Sequence, residues 1–239
     1  DTDDGEAAKW YQSAAWLGYP GAQTELGRCL EFGAGVEEDL EQAVKWYTAA
    51  AEQENAPGMC CLGFMYESGR GVEQSWEQAV EWYRKAADKG YPRAMCSYGF
   101  CCEAGQGVKK DMSAAAEWYR RAAEAGDATG ACNLGYLYET GEGVGQSWDR
   151  AVTWYRQAAE LGQARGQYCL GWCYEHGKGV PASEEKAREL YEASARQNYK
   201  HAVEALERLG SSSGKKDAGR KDRKPEKGGF LKGLFGGKK

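Results

Sequence analysis

Small and apolar residues recur along this chain in one short stripe. Ala43, Trp46, Tyr47, Ala50 and Ala51 stand at offsets 0, 3, 4, 7 and 8, with mostly polar residues between them. Residues three and four apart share a helix face, so the spacing predicts an amphipathic helix. The central pair recurs as Trp10-Tyr11, Trp46-Tyr47, Trp82-Tyr83, Trp118-Tyr119 and Trp154-Tyr155, with a sixth copy reading Leu190-Tyr191, and every step is 36 residues. Each such helix, termed B, is predicted to start at Asp3, Asp39, Ser75, Asp111, Ser147 or Ser183. The side chain of such a residue accepts from the free amides of the first turn. Glu6, Gln42 and Gln78, three residues on, complete a capping box. Gly18, Gly90, Gly126 and Gly162 end the helix where a left-handed residue is needed. Asn198 serves there too, and Glu54 stands at the same position and should carry strain.

A second pattern lies between the B helices. It runs from about residue 22 to 32 in its first copy and closes on a G-x-G-V turn beginning at Gly33, Gly69, Gly105, Gly141 and Gly177. This is helix A, antiparallel to B, and the valine of the turn is expected to plug the space between helices. A glycine sits inside it at 27, 63, 99, 135 and 171. Glycine within a helix costs ~1 kcal/mol relative to alanine, so a reason is required. Close packing against the bulky Trp-Tyr of helix B supplies it and places those pairs in the core. The small residues Ala22, Gly58, Ala94, Gly130 and Gly166 serve another close approach.

Three markers with one period read as an all-α protein, an α-solenoid of stacked helix pairs. The A-x-x-W-Y-x-x-A-A-x-x-G and L-G-x-x-Y-x-x-G-x-G-V motifs resemble the Sel1-like repeat family, relatives of the tetratricopeptide repeats, over about residues 3–209. The resemblance implies a right-handed superhelix and a non-catalytic adaptor of signalling, secretion, envelope assembly or protein quality control. It names no partner beyond a protein or peptide. Residues 199–209 repeat the helix A pattern with Glu207 at the glycine position, as expected of a polar cap that no further helix covers. The solenoid therefore occupies 1–210, as five 36-residue steps plus this capping helix.

In the family helix A usually lines the concave face. One helix A face holds Cys60, Phe64 and Glu67 at i, i+4 and i+7, then Cys96, Phe100, Glu103, then Cys132, Tyr136, Glu139, then Tyr168, Trp172, Glu175; the first copy is Thr24, Arg28, Glu31. Two readings stand. The aromatics and glutamates form an accessible ladder that anchors a basic segment, or they pack between neighbouring A helices with the glutamates paired inside.

Composition narrows the functions. Twelve per cent aromatic residues, 33 glycines and only five prolines suit short helices with regular turns. Residues 211–239 carry ten Lys/Arg against three Asp/Glu, a charge of +7; the whole chain is −5, so residues 1–210 hold −12. An acidic body argues against nucleic acid along residues 1–210, since polyphosphate needs a cationic surface; none is expected as the partner, and a nucleic-acid binder through the basic tail is a third class. No apolar run approaches the ~20 residues of a membrane span. The acidic start, Asp1-Thr2-Asp3-Asp4, is no signal peptide. The chain opens without Met on half a repeat, which reads as truncation or processing.

All nine cysteines, at 29, 60, 61, 96, 101, 102, 132, 169 and 173, fall on A helices. Some secreted members of the family join the two helices of a repeat by a disulfide, which needs a cysteine on B; this chain departs from them. Buried free thiols in a reducing, cytoplasmic setting are expected. No metal site is expected, because Cys-x-x-Cys is absent and the two histidines, His176 and His201, read as surface residues. No cofactor is expected either. Ser183-Glu184-Glu185-Lys186 matches the S-x-x-K of penicillin-recognising enzymes, and some cysteine-rich relatives are linked to β-lactams. The accompanying S-D-N and K-T-G elements do not occur, and Ser183 already serves as a cap. A β-lactam-binding or -hydrolysing enzyme is the competing class. The run from Gly210 to Lys216 falls one residue short of a phosphate loop and reads as linker.

Residues 211–227 have no apolar periodicity and read as a disordered basic linker. In 228–239, Phe230, Leu231, Leu234 and Phe235 share one face of a short helix, with Lys232 beside them and Gly233 interrupting. The segment resembles the MinD-type membrane-targeting sequence of the bacterial Min system. That resemblance implies peripheral attachment to an anionic membrane at its inner face. A docking motif for a protein and a fold-back onto the acidic body are the other readings. The regular repeats and this tail point to a bacterial protein.

Overall fold

The computed structural model describes residues 2–212, and within them every element is an α-helix. The B helices are α1 (Thr2–Trp16), α3 (Leu40–Glu52), α5 (Trp76–Asp88), α7 (Met112–Glu124), α9 (Trp148–Glu160) and α11 (Glu184–Ala195). The A helices are α2 (Pro20–Phe32), α4 (Ala56–Ser68), α6 (Pro92–Ala104), α8 (Ala128–Thr140), α10 (Ala164–His176) and α12 (Lys200–Ser212). Each helix packs on its neighbours in sequence, giving a solenoid. Alternate A helices also touch one another more closely than alternate B helices do, so the stack bends toward its A side.

The predicted caps form at five B helices. Asp39, Ser75, Asp111, Ser147 and Ser183 are extended and accept from first-turn amides; Asp39 Oδ1 takes the Gln42 N–H at 2.9 Å. The capping box does not close as expected, because the cap residue's own N–H is already used. Asp39, Ser75, Asp111, Ser147 and Ser183 donate it to helix A carbonyls at Leu30, Tyr66, Cys102, Tyr138 and Tyr174, at 2.8–2.9 Å. That bond ties the start of each B helix to the A helix before it. Asp3 is not a cap: α1 begins at Thr2, and no A helix precedes it among the described residues to hold the chain extended there. Glu54 and Asn198 both take φ of 61°, the left-handed conformation that glycine supplies in the other repeats.

Tyrosine and tryptophan of the repeated pair divide the work. Tyr47, Tyr83, Tyr119, Tyr155 and Tyr191 are wholly buried, whereas Trp46, Trp82, Trp118 and Trp154 are half-buried. The first pair departs from the core assignment: Trp10 is 75% exposed and Tyr11 36%, because no A helix lies on that side of α1 among the described residues. The mid-helix glycines are there for the tyrosine rings. A Cβ on Gly27 would stand 2.6 Å from the Tyr47 ring, and one on Gly135 2.7 Å from the Tyr155 ring. The second glycine column seats the preceding B helix: a Cβ on Gly58 would lie 2.7 Å from that of Ala50. The bend and the two glycine columns bring the A helices into one continuous face. At its end α12 has Ala202 buried and Glu207 exposed, as a terminal cap requires.

Candidate functional site

The glutamate of each A helix from α2 to α10 is turned inward. Glu31, Glu67, Glu103, Glu139 and Glu175 accept from the hydroxyls of Tyr47, Tyr83, Tyr119, Tyr155 and Tyr191, 16 residues on in each case, at 2.6–2.8 Å. Glu31, Glu67 and Glu139 are only 2–5% exposed, and Glu103 and Glu175 are half-buried. Of the two readings open in the sequence, the glutamates follow the one that pairs them inside, and their place in an accessible ladder is corrected. The tyrosine explains it: a buried phenol needs an acceptor, and the A helix turns the glutamate at i+4 from its glycine toward the same ring. Charge within this row is answered unevenly. Arg70, from the next turn, lies 2.5 Å from Glu31, and Arg208 of α12 lies 2.6 Å from Glu175. Gln106 stands where Arg70 does one repeat earlier, beside the step of Glu67. Burial dominates at Glu67, and its carboxyl is pushed up to about 7 although the Tyr83 hydrogen bond opposes the shift.

The aromatic column of the expected ladder lies at the A-side junctions. Phe64 and Trp172 are buried, at 9% and 7% exposed, and Phe100 and Tyr136 are half-buried. Arg28 and Arg208 hold the same column at its two ends, both half-buried. Arg93 and Arg165 stand seven residues before Phe100 and Trp172, on the same helix faces, and are half-buried as well. The Arg165 guanidinium lies 5.7 Å from the Tyr136 ring centroid and donates to Asn133 Oδ1 at 3.3 Å. Arg70 lies 5.9 Å from the ring of Phe32, itself 50% exposed. Arginines and the rings of Phe32, Phe100 and Tyr136 are thus partly exposed on this face, while Phe64 and Trp172 are covered. Arg70, Arg93, Arg165 and Arg208 were not singled out from sequence. For Arg93 and Arg165 the signal was available in the i, i+7 relation to the aromatic column and for Arg208 in the column's own 36-residue step, whereas Arg70 lies in the turn after α4; each occupies a position that varies from repeat to repeat.

The thiols belong to the core. Eight of the nine cysteines are buried and Cys29 is half-buried, all unpaired. Burial pushes Cys60 and Cys101 well up, and Cys173 to about 12. Cys132 and Cys169, on successive A helices, are hydrogen-bonded to each other; that bond lowers Cys132 and raises Cys169. Ser183 Oγ accepts from the Lys186 amide at 3.3 Å, and the Lys186 ammonium lies 5.2 Å from the Tyr174 ring centroid. The S-x-x-K residues thus serve as a helix cap and a cation–π contact. The histidines are half-buried rather than free on the surface: His176 stacks on Trp172 at 4.2 Å, and His201 packs on Tyr199 at 5.5 Å. No cluster among the described residues is arranged to hold a metal, and none of their helices is long and apolar enough to cross a membrane. Phe230, Leu231, Lys232, Leu234 and Phe235 lie outside the described residues.

The 36-residue step with its paired helices matches the Sel1 repeat at residues 1–19, 20–55, 56–91, 92–127, 128–163 and 164–199. The chain belongs to the Sel1 repeat family. Its structure is similar to that of a Sel1 repeat protein from Oxalobacter formigenes, with 36% identity and a TM-score of 0.76, covering 84% of this chain and 82% of that one. It also resembles c5321, a protective antigen of uropathogenic Escherichia coli with an SLR fold, at 35% identity and a TM-score of 0.73; 86% of this chain is matched, but only 44% of the antigen. The immunity protein Pa5087 of Pseudomonas aeruginosa, at 19% identity and a TM-score of 0.57, shares the fold alone. No curated protein matches the chain. Sel1 repeat proteins are generally non-catalytic scaffolds that bind protein partners.

Proposed function

We propose that this Sel1 repeat protein is an interaction scaffold that holds a protein or peptide partner along the face of its A helices, without catalysing a reaction. The observation that carries the reading is the pair of half-buried rings Phe100 and Tyr136, backed by the buried Phe64 and Trp172 and bounded and overlaid by half-buried arginines on the inner side of the bend. Aromatics and arginines are the side chains from which binding hot spots are most often built. The guanidinium fork favours carboxylates and backbone carbonyls. The partner chemistry this supports is an extended or helical segment with acidic groups flanking an apolar anchor. The buried glutamates make a basic segment, favoured from sequence, a poorer fit.

The test is affinity capture from the native cell with three forms: the full chain, a chain ending at Gly210, and Phe100→Ala. A defined protein held by the first two and lost with Phe100→Ala, whose melting temperature stays within a few degrees of the parent, supports the reading. Equal capture by all three forms contradicts it.

The tail carries a separable part of the proposal, membrane attachment through Phe230, Leu231, Lys232, Leu234 and Phe235, and it rests on sequence alone. Co-sedimentation of the full chain, but not of the chain ending at Gly210, with anionic vesicles at physiological salt is the expected result. Identical behaviour of the two chains removes it.

A further inference from the structure

The last B helix departs from its predecessors at one position. Trp46, Trp82, Trp118 and Trp154 precede the buried tyrosine in four repeats, and Leu190 stands there in α11. What the indole does elsewhere is clear at Trp118. Its ring packs edge-on against Tyr98 with centroids 5.1 Å apart, and Arg121 lies 4.1 Å over it. Two 36-residue steps later the corresponding residues are Leu190, Leu170 and Ala193. Leucine already stands at the second position in Leu26, Leu62 and Leu134, and the third is Ala49 and Gln157 in two of the indole-bearing repeats, so the loss of the indole at Leu190 is what sets α11 apart.

An open cleft of about 350 Å³ lies at that place, between α9 and α11 and over α10. Leu170, Tyr174 and Leu190 form its apolar wall, while the exposed Arg156, Glu160 and Lys186 also line it. We propose that this cleft is a binding site for a tryptophan side chain presented by a partner protein.

The occupant is identified by the chain itself. The position of Leu190 is held by an internal indole in four other copies, so a guest indole would take the place that the chain's own indole holds there. Flat aromatic rings bury much area for little conformational freedom lost, which makes them effective anchors. Lys85 lies 4.2 Å over the Trp82 ring, as Arg121 does over Trp118. Arg156 and Lys186 can supply a guest indole with the same cationic cover. Glu160 gives the mouth an acceptor for the indole N–H. The cleft opens between B helices, so the inference stands whether or not the A-helix face holds a partner.

The test uses the full chain with N-acetyl-L-tryptophanamide as the probe and N-acetyl-L-leucinamide as the control. The readout is the methyl NMR shifts of Leu170 and Leu190. The expected result is saturable shifts at both leucines, with a dissociation constant on the order of 1 mM and at least about ten-fold weaker response to the leucine amide. Leu190→Trp refills the cleft with the chain's own indole, so it abolishes the response and raises the melting temperature. Leu170→Tyr, which introduces into the cleft wall the ring that Tyr98 carries in one other repeat, is a second block should Leu190→Trp fail to fold. Absent shifts, equal shifts with both amides, or binding that survives a folded blocking variant overturn the proposal. Shifts with free indole but none with the peptide-like amide likewise overturn it, since they would mark a small-molecule site.

Discussion

Placing a methyl group on Gly63 sets two known effects against each other. Alanine is the better helix former, by ~1 kcal/mol, and Gly63 lies inside α4. On that ground alone Gly63→Ala should stabilise the fold. The added Cβ, however, would stand 2.8 Å from Cδ1 and Cε1 of Tyr83 and 3.2 Å from the Ala79 carbonyl oxygen. Carbon atoms rest ~3.5–4.0 Å apart, so ring and helix must separate by about 1 Å. Tyr83 has no free side to move into, being wholly buried. Overpacking of this kind costs ~1–3 kcal/mol. Moving the ring also strains the 2.7 Å bond from the Tyr83 hydroxyl to Glu67, and a hydrogen bond to a charged group is worth ~1.5–3 kcal/mol. The crowding wins, and the net loss is about 2 kcal/mol. Gly21→Ala in α2 is the control, because nothing lies within 4 Å of its added Cβ. It should be neutral or stabilising by up to ~1 kcal/mol. Urea unfolding followed by circular dichroism reads both midpoints. If Gly63→Ala shifts the midpoint upward as Gly21→Ala does, glycine is not there for the tyrosine and the packing argument fails.

Further outcomes follow from single residues. The Glu67 carboxyl is raised from 4.5 to about 7, so the folded chain binds an extra proton between those values. Its contribution to stability is greatest below pH 4.5, falls as pH rises toward 7, and levels off above that; the full swing is about 3 kcal/mol. Glu67→Gln should flatten that part of a pH–stability curve, and a variant curve parallel to the parent's would refute the assignment. A thiol reagent should label Cys29 first and the eight buried cysteines only on unfolding; rapid native labelling of more than one thiol speaks against their placement. Glu54→Gly, at φ 61°, should raise the melting temperature even though it removes the ion pair with Lys89. A lowered value would show that the pair outweighs the backbone.

Much of this architecture could be read from spacing alone, because a solenoid repeats its constraints. The helix starts at Asp39 and Ser75, the left-handed Glu54 and the glycine seats under Tyr47 and Tyr83 each follow from one residue type at a fixed offset. What spacing could not supply was rotation. The glutamate at 67 and the arginine at 93 are both polar residues on an A helix, and only the position of the neighbouring B helix decides which turns inward. The phenol of Tyr83 takes the glutamate, and the arginines are left at the surface. The capping box failed for a related reason: Asp39 N–H is claimed by Leu30, a residue no local motif could name. The cleft at Leu190 was visible as a break in the sequence repeat, but its other walls come from Leu170 and Tyr174 on α10 and Arg156 and Glu160 on α9, which lie elsewhere in the chain.

The central claim is that a partner lies along the A-helix face. It is tested most directly by placing a photocrosslinking amino acid at Phe100 on α6, and separately at the exposed Glu117 on the B helix α7, in the native cell. The account predicts one discrete adduct from position 100 and none from 117. An adduct from 117 with none from 100 would contradict it.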